Sequence, residues 1–550
     1  MKQRTRIFAH GFALIGTVAL LAGLSGCAQK AAQTTDDADE QQVFIGDDIA
    51  IAQTQYGKVQ GYILKGTYTF AGIPYGATTA GKNRFMPPQK PESWEGIRPA
   101  VFWGTSAPQN MANKYPNTYS TFADHWNYYN VGEDCLNLNV WTQGLDKKAR
   151  PVLVWFHGGG FSSGNSIEQD GYMGANISKY GDIVAVSVNH RLNSFGFTDL
   201  SGVDPKFADS GNVGVLDLVA SLQWVHENIA NFGGDPNNVT VIGQSGGGSK
   251  VCTIVAMPET KGLVHKGVAL SGSSTSATPQ EASAELGKFI LKEAGLKPSE
   301  VSKLQEMPWE EYYALANRAS RAYNEQAAAT GRRGGFSPVA DGTHVPKGNF
   351  FASKDAPSAH VPMIFCTTTS EQAISRTNAE LEKMDKAQAI AFLTQRMGRD
   401  ATAAYEAYAK AFPTEKPVKL VNMIVSPRTR VIQAIDDKYQ QGAPVYLAWF
   451  DWEPPLFDAR MRAFHCIDIC FWLHNTDLML THTGGGKRPR ALSDKMSDAL
   501  LSFMRTGDPN CASIPEWPAY TPEQGATMIW NDECKVQNDP DREARKALVN

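Results

Sequence analysis

Along the chain, short unbroken apolar runs alternate with longer stretches of mixed character. "PVLVWF" (151–156), "DIVAVSV" (182–188), "NVTVIG" (238–243), "GVAL" (267–270), "PMIFC" (362–366) and "PVYLAWF" (444–450) are rich in β-branched and aromatic residues and stay apolar through successive positions. A strand wetted on one face alternates apolar and polar residues, whereas a strand covered on both faces does not. The runs therefore predict buried strands. Between the second and third lies "GVLDLVASLQWVHENIANF", where Val215, Leu218, Val219, Leu222, Val225 and Ile229 recur at helical spacing and form one apolar face. Strand, helix, strand in this order predicts parallel strands joined by helical crossovers. Residues 281–440, rich in Ala, Glu and Lys, read as a mostly helical insertion. No linker divides residues 45–550, which read as one large α/β domain.

The first 27 residues follow another pattern. Lys2, Arg4 and Arg6 precede a mostly apolar stretch from Ile7 to Leu24, and then comes Leu24-Ser25-Gly26-Cys27. A basic start, an apolar middle and small residues at the end describe an export signal. The last four residues resemble a bacterial lipobox, which implies lipidation of Cys27 and anchoring to a membrane of the bacterial cell envelope. Residues 28–44, polar, acidic and free of aromatics up to Val43, carry too little apolar surface to fold and read as a tether.

Composition narrows the functional class. The 550 residues carry a formal net charge of −4 and no long basic stripe, which argues against a nucleic-acid partner, since phosphate binding needs clustered Lys and Arg. Export would place the eight cysteines where disulfides persist. With Cys27 taken by lipid, an odd number remains, so at least one thiol is unpaired. Cys511 and Cys534 bracket a loop-rich segment and are the expected pair.

Chemistry concentrates in "VTVIGQSGGGSK" (239–250), which fits G-x-S-x-G between a strand and a helix. A sharp turn there pushes the Ser245 hydroxyl outward, and glycines on either side avoid collisions with neighbouring backbone. Such a serine needs a base to take its proton and donors to hold an oxyanion. A phosphate cradle is the rival reading, but it requires Gly-Lys-Ser/Thr, and here the order is Gly248-Ser249-Lys250. "PVLVWFHGGGFSSG" runs a strand into His157-Gly158-Gly159-Gly160, the pattern of a loop that lends backbone N–H groups to an oxyanion hole. If the chain order is nucleophile, acid, histidine, the base lies late in the chain, at His465, His474 or His482. Of these, His465 leads, because it sits in a loop-like stretch just before a helix.

These segments, with "FAGIPYG", "RFMPPQKPESW", "GEDCLNLNVW", "VNHRLNSFGF" and "FMRTGDPN", resemble in order the type-B carboxylesterases, relatives of the cholinesterases, from about Ile49 to Trp530. The resemblance implies an α/β-hydrolase fold: a large, mostly parallel central sheet flanked by helices, with a helical insertion. It also implies hydrolysis of small-molecule carboxylic esters through an acyl-enzyme on Ser245, with His465 as base and Glu371, in "VPMIFCTTTSEQAIS", as the carboxylate. Oxyanion donors would be the N–H groups of Gly159, Gly160 and Gly246. Asp341 in "PVADGTHVP" is the competing acid. No metal or organic cofactor is implied.

Departures from the family pattern bear on substrate. Gln244 stands where Glu is usual, which removes a carboxylate near the histidine and any special preference for cationic alcohols. Gly246 replaces the usual Ala and is expected to leave the oxyanion turn freer. Ala107 occupies the usual partner position of Cys135, so that loop disulfide cannot form, and the loop around 108–134 is expected to be more mobile. Cys466, Cys470 and His474 would share a face if the segment were helical, but a structural zinc site needs a fourth ligand, and buried thiols fit better. Trp309, Tyr312 and Tyr313 are assigned to core. An amide or carbamate hydrolase would use the same machinery. A non-catalytic adhesion module would have lost the triad candidates that are kept here.

Overall fold

All six apolar runs are strands, and all lie in one sheet of twelve. The structure is a computed structural model that describes residues 41–110, 127, 129–327 and 334–549. In chain order the sheet strands are β1 (Val43–Phe44), β2 (Tyr62–Leu64), β3 (Thr67–Pro74), β4 (Asn137–Thr142), β5 (Arg150–Phe156), β6 (Val184–Val188), β7 (Gly234–Gln244), β8 (Lys266–Leu270), β9 (Met363–Thr368), β10 (Val445–Phe450), β11 (Ala526–Trp530) and β12 (Lys535–Asn538). Across the sheet they run β1-β2-β3-β4-β6-β5-β7-β8-β9-β10-β11-β12. From β6 to β11 every neighbouring pair is parallel. The pairs linking β1, β2, β3, β4 and β6, and the terminal pair β11–β12, are antiparallel. From Gln42 onward the chain forms one compact unit.

Unbroken apolar strands follow from burial on two sides. In β5, Val152, Val154 and Phe156 join one core layer with Val215, Leu218 and Leu222 of helix α1 (Val213–Asn228). Leu153 and Trp155 point the other way, into a layer with Leu492, Met496 and Leu500 of a long helix, Lys487–Thr506. The six residues of the predicted α1 face are all buried, and so are Val213, Leu216 and Trp224, because α1 is covered on nearly every side.

The helical region 281–440 is not a single insertion. Helices occupy Gln280–Glu293, Trp309–Ala327, Lys386–Met397, Thr402–Ala411, Pro417–Ile424 and Arg428–Tyr439, but β9 runs between them as an interior strand of the sheet. Tyr312 is fully buried against Phe85 and Phe195, with Trp309 and Tyr313 packed around it, so these aromatics are core.

The expected Cys511–Cys534 disulfide is not formed, and all seven described cysteines are free thiols. Cys534 is tucked into the apolar layer with Trp517 and Trp530, its sulfur 3.4 Å from Asn531 O, whereas the Cys511 sulfur faces Ser513 Oγ at 3.2 Å. The two thiols thus serve separate local environments. The expected export signal, Cys27 and almost all of the tether lie outside the described residues, as does most of the 108–134 loop. Among the described residues no helix is long and apolar enough to cross a membrane.

Candidate active site

Ser245 follows β7 and opens helix α2 (Gly246–Ala256) in a positive-φ conformation, φ 58° and ψ −121°. A non-glycine residue reaches that region only when its surroundings force it. Here Ser245 N donates to Leu270 O at 2.8 Å, and Ser249 N donates back to Ser245 O at 3.1 Å. The flanking glycines are required by contact. A Cβ on Gly243 would sit 2.5 Å from the Gly247 carbonyl carbon, and one on Gly247 would overlap Phe156 O. Ser245 remains partly exposed in an otherwise buried turn.

The loop after β5 packs directly on this turn. A Cβ on Gly246 would overlap the backbone of Gly160, so the two main chains touch. Gly246 therefore gives close approach rather than the freer turn expected of it. Gly159 and Gly160 are exposed at φ 81° and 63°, and among the described residues neither N–H has an acceptor. Gly246 N–H is the first of α2 and has no intrahelical partner by construction. The arrangement offers main-chain donors beside the Ser245 hydroxyl.

Lys250, which the phosphate-cradle pattern misplaces, has another role. Its side chain is fully buried, and Nζ donates to the carbonyl oxygen of His157 at 2.8 Å, just ahead of Gly158. Burial pushes this amine down to about 7, with Glu168 partly offsetting the shift.

The acid and the imidazole meet from two other strand ends. Glu371 follows β9, and His465 lies in the loop after β10, immediately before the short helix Ile469–Trp472. His465 Nδ1 pairs with Glu371 Oε2. Glu371 Oε1 accepts from Thr368 N at 2.8 Å and from Ser271 Oγ at 2.6 Å. Burial would raise the Glu371 carboxyl, but the charge of His465 and these hydrogen bonds outweigh it and hold it below its ordinary range. Burial would likewise depress His465, yet the Cys466 sulfur and the Glu371 carboxylate hold the imidazole well above its ordinary value. Ser271, at φ 50° after β8, carried no signal in the sequence that marks it as the carboxylate's second support.

Gln244 joins the two halves. Its amide nitrogen lies 3.2 Å from His465 Nδ1 and 3.4 Å from Nε2, and its oxygen accepts from the Cys466 thiol at 3.2 Å. The imidazole thus rests against the residue that precedes Ser245. No hydrogen bond joins Ser245 Oγ to the ring among the described residues. Catalytic hydrogen bonds are often long until substrate is bound.

The other candidates are placed elsewhere. His474 stacks on Tyr180 and pairs with Asp494 at 2.9 Å, and His482 is buried edge-on against Phe464. Asp341 accepts from Asn212 and from the N–H groups of Thr343, His344 and Val345, a turn-forming role. Cys466 sits at φ 78°, outside the Ile469–Trp472 helix, so it shares no helical face with Cys470 and His474. No cluster fit to hold a metal ion occurs among the described residues.

Residues 48–547 match the sequence profile described as "Carboxylesterase family". The chain is 31% identical over 505 residues to a para-nitrobenzyl esterase of Bacillus subtilis (strain 168), covering 90% of this chain and 98% of that one. It is 30% identical over 493 residues to a phenmedipham hydrolase of Pseudarthrobacter oxydans, covering 88% and 95%. Among solved structures it is similar to an esterase from Clostridium hathewayi described as able to hydrolyse aliphatic aromatic polyesters. That match has 35% identity and a TM-score of 0.80, and covers 92% of this chain and 99% of that one.

Proposed function

The chain belongs to the carboxylesterase family and is a carboxylic ester hydrolase, and from that premise we propose that it works through a Ser245–His465–Glu371 triad. The observation that carries the assignment is the Glu371–His465 pair resting against Gln244, the neighbour of a strained, partly exposed Ser245.

In this mechanism Ser245 Oγ attacks the ester carbonyl while His465 takes its proton. The carbonyl oxygen becomes an oxyanion, stabilised by the N–H groups of Gly159, Gly160 and Gly246. Collapse of the tetrahedral intermediate breaks the bond to the alcohol oxygen, and His465 returns the proton to that leaving group. Water then attacks the acyl-enzyme, giving its proton to His465, and the acid departs as Ser245 is reprotonated. Glu371 keeps the imidazole in the tautomer that presents its other nitrogen to the serine, and stabilises the imidazolium that forms. The Ser245 proton thus leaves on the alcohol, one water proton replaces it on Ser245, and His465 ends as it began.

The test is Ser245→Ala. The variant should fold, lose the burst of nitrophenolate from 4-nitrophenyl butyrate, and fail to take a fluorophosphonate label. Turnover above about one-thousandth of the parent rate in that variant would refute the assignment, since hydrolysis left after losing a nucleophile is of that order or lower.

A further inference from the structure

A cavity of about 580 Å³ opens beside the Glu371–His465 pair and is bounded on its far side by Ser426, Thr429 and Arg430, with Gln372 at its edge. Its walls are mainly polar, whereas small-molecule sites are mostly apolar with a few polar anchors.

Two features give it the character of an anion seat. Arg430 is exposed and makes no ion pair among the described residues. Its own helix supplies none, because Ser426, Pro427, Gln433 and Ala434 occupy the positions three and four residues away. Nearby arginines are engaged: Arg428 by Asp541, and Arg462 by Glu382 and Glu453. Second, the helix Arg428–Tyr439 begins at this wall, so its positive end faces the same space.

The cavity's one carboxylate, Glu371, is a nearly buried side chain whose charge is directed to the imidazole it pairs with. Glu371 has both oxygens engaged, one by Thr368 N and Ser271, the other by His465. Gln244, against the same imidazole, is uncharged.

We propose that this cavity seats a carboxylate carried by the substrate itself, so that the preferred esters bear a second, ionised carboxyl group a few bonds from the scissile carbonyl. Monoesters of dicarboxylic acids and esters of carboxyl-bearing alcohols both have this form. The guanidinium would grip the carboxylate with paired, charge-assisted hydrogen bonds. The inference rests on the assignment of Ser245 and His465 as the reacting groups.

The experiment compares matched charged and neutral esters on the parent, Arg430→Met and Arg430→Lys. One arm uses the 4-nitrophenyl ester of adipic acid against that of its monomethyl ester. The other uses the butyrate of 4-hydroxyphenylacetic acid against the butyrate of its methyl ester. In at least one arm the ratio of kcat/KM, charged over neutral, should fall about ten-fold or more in Arg430→Met, as expected for a lost hydrogen bond to a charged group, and be largely kept in Arg430→Lys. A ratio unchanged by Arg430→Met in both arms overturns the proposal. Failure of the underlying triad shows differently: Ser245→Ala would then still hydrolyse the neutral esters.

Discussion

Replacing Lys250 by methionine sets the cost of a buried amine against its service to the oxyanion loop. The side chain is fully buried, and its one hydrogen bond goes to the His157 carbonyl at 2.8 Å. Burial lowers the amine from 10.5 to about 7. Between those values the unfolded chain holds a proton that the folded chain lacks, so stability rises with pH across that window and is lowest below it. At about 1.4 kcal/mol per unit, keeping this lysine costs roughly 5 kcal/mol at neutral pH. Methionine fills similar space without the charge, but it strands the His157 carbonyl, a loss of about 1–3 kcal/mol. The variant should therefore gain about 2–4 kcal/mol at pH 7 and lose this residue's share of the rise toward pH 10. Activity should move the other way. With the carbonyl ahead of Gly158 released, the donors of Gly159 and Gly160 are less fixed, and kcat should fall on the order of ten-fold with KM little changed. Urea unfolding followed by tryptophan fluorescence at pH 7 and 9.5, alongside 4-nitrophenyl butyrate kinetics, reads both effects. A variant no more stable at pH 7, or one with full kcat, would refute the reasoning.

What the sequence disclosed depended on whether the deciding contact was local. The central strands were legible because a strand covered on both faces keeps an unbroken apolar signature. Strands β1 to β4, β11 and β12 were not, being short or mixed segments that carry little of that signature. The serine turn was legible because its glycines are demanded by neighbours within a few residues or on the adjacent strand. Gly246 shows the limit: its conformational freedom can be read from the chain, but the Gly160 backbone filling the space beside it cannot. Glu371 and His465, 94 residues apart, are joined only by the order of β9 and β10 in the sheet, so resemblance identified Glu371, while chain order and a loop-like position had favoured His465 without a partner. The role of Lys250 was not legible for the same reason, since its partner is a main-chain carbonyl 93 residues away and such an atom has no sequence identity. The Cys511–Cys534 pairing failed because bracketing a loop does not make two thiols neighbours once one belongs to the apolar layer.

Further expectations probe the oxyanion loop and the imidazole. Gly246→Ala restores the residue usual in the family but places a methyl against Gly160, so here it should displace the loop and slow fluorophosphonate labelling about ten-fold; an unchanged labelling rate would show that the loop yields without cost. For pH, the sign follows from the Glu371–His465 pair. His465 must be neutral to accept the Ser245 proton, and its neighbours raise it well above the ordinary 6.5, so activity should fall on the acid side with a midpoint above that value. Glu371→Gln removes one of the two groups that raise the imidazole and leaves the Cys466 sulfur in place. The midpoint should then shift downward from the parent's while kcat falls roughly 10²- to 10⁴-fold. Stability moves by the same linkage. The raised imidazole contributes fully below 6.5 and loses its contribution as pH rises through its folded value, whereas the lowered carboxyl contributes above 4.5 and loses its contribution as acid is added. The pair therefore stabilises the fold most between about 4.5 and 6.5, on the acid side of the activity midpoint. The pair's own share of stability is therefore greatest at a pH where the enzyme turns over slowly, and it runs against the rise with pH that Lys250 contributes. An acid limb centred at or below 6.5 in the parent would mean that the carboxylate does not govern the base.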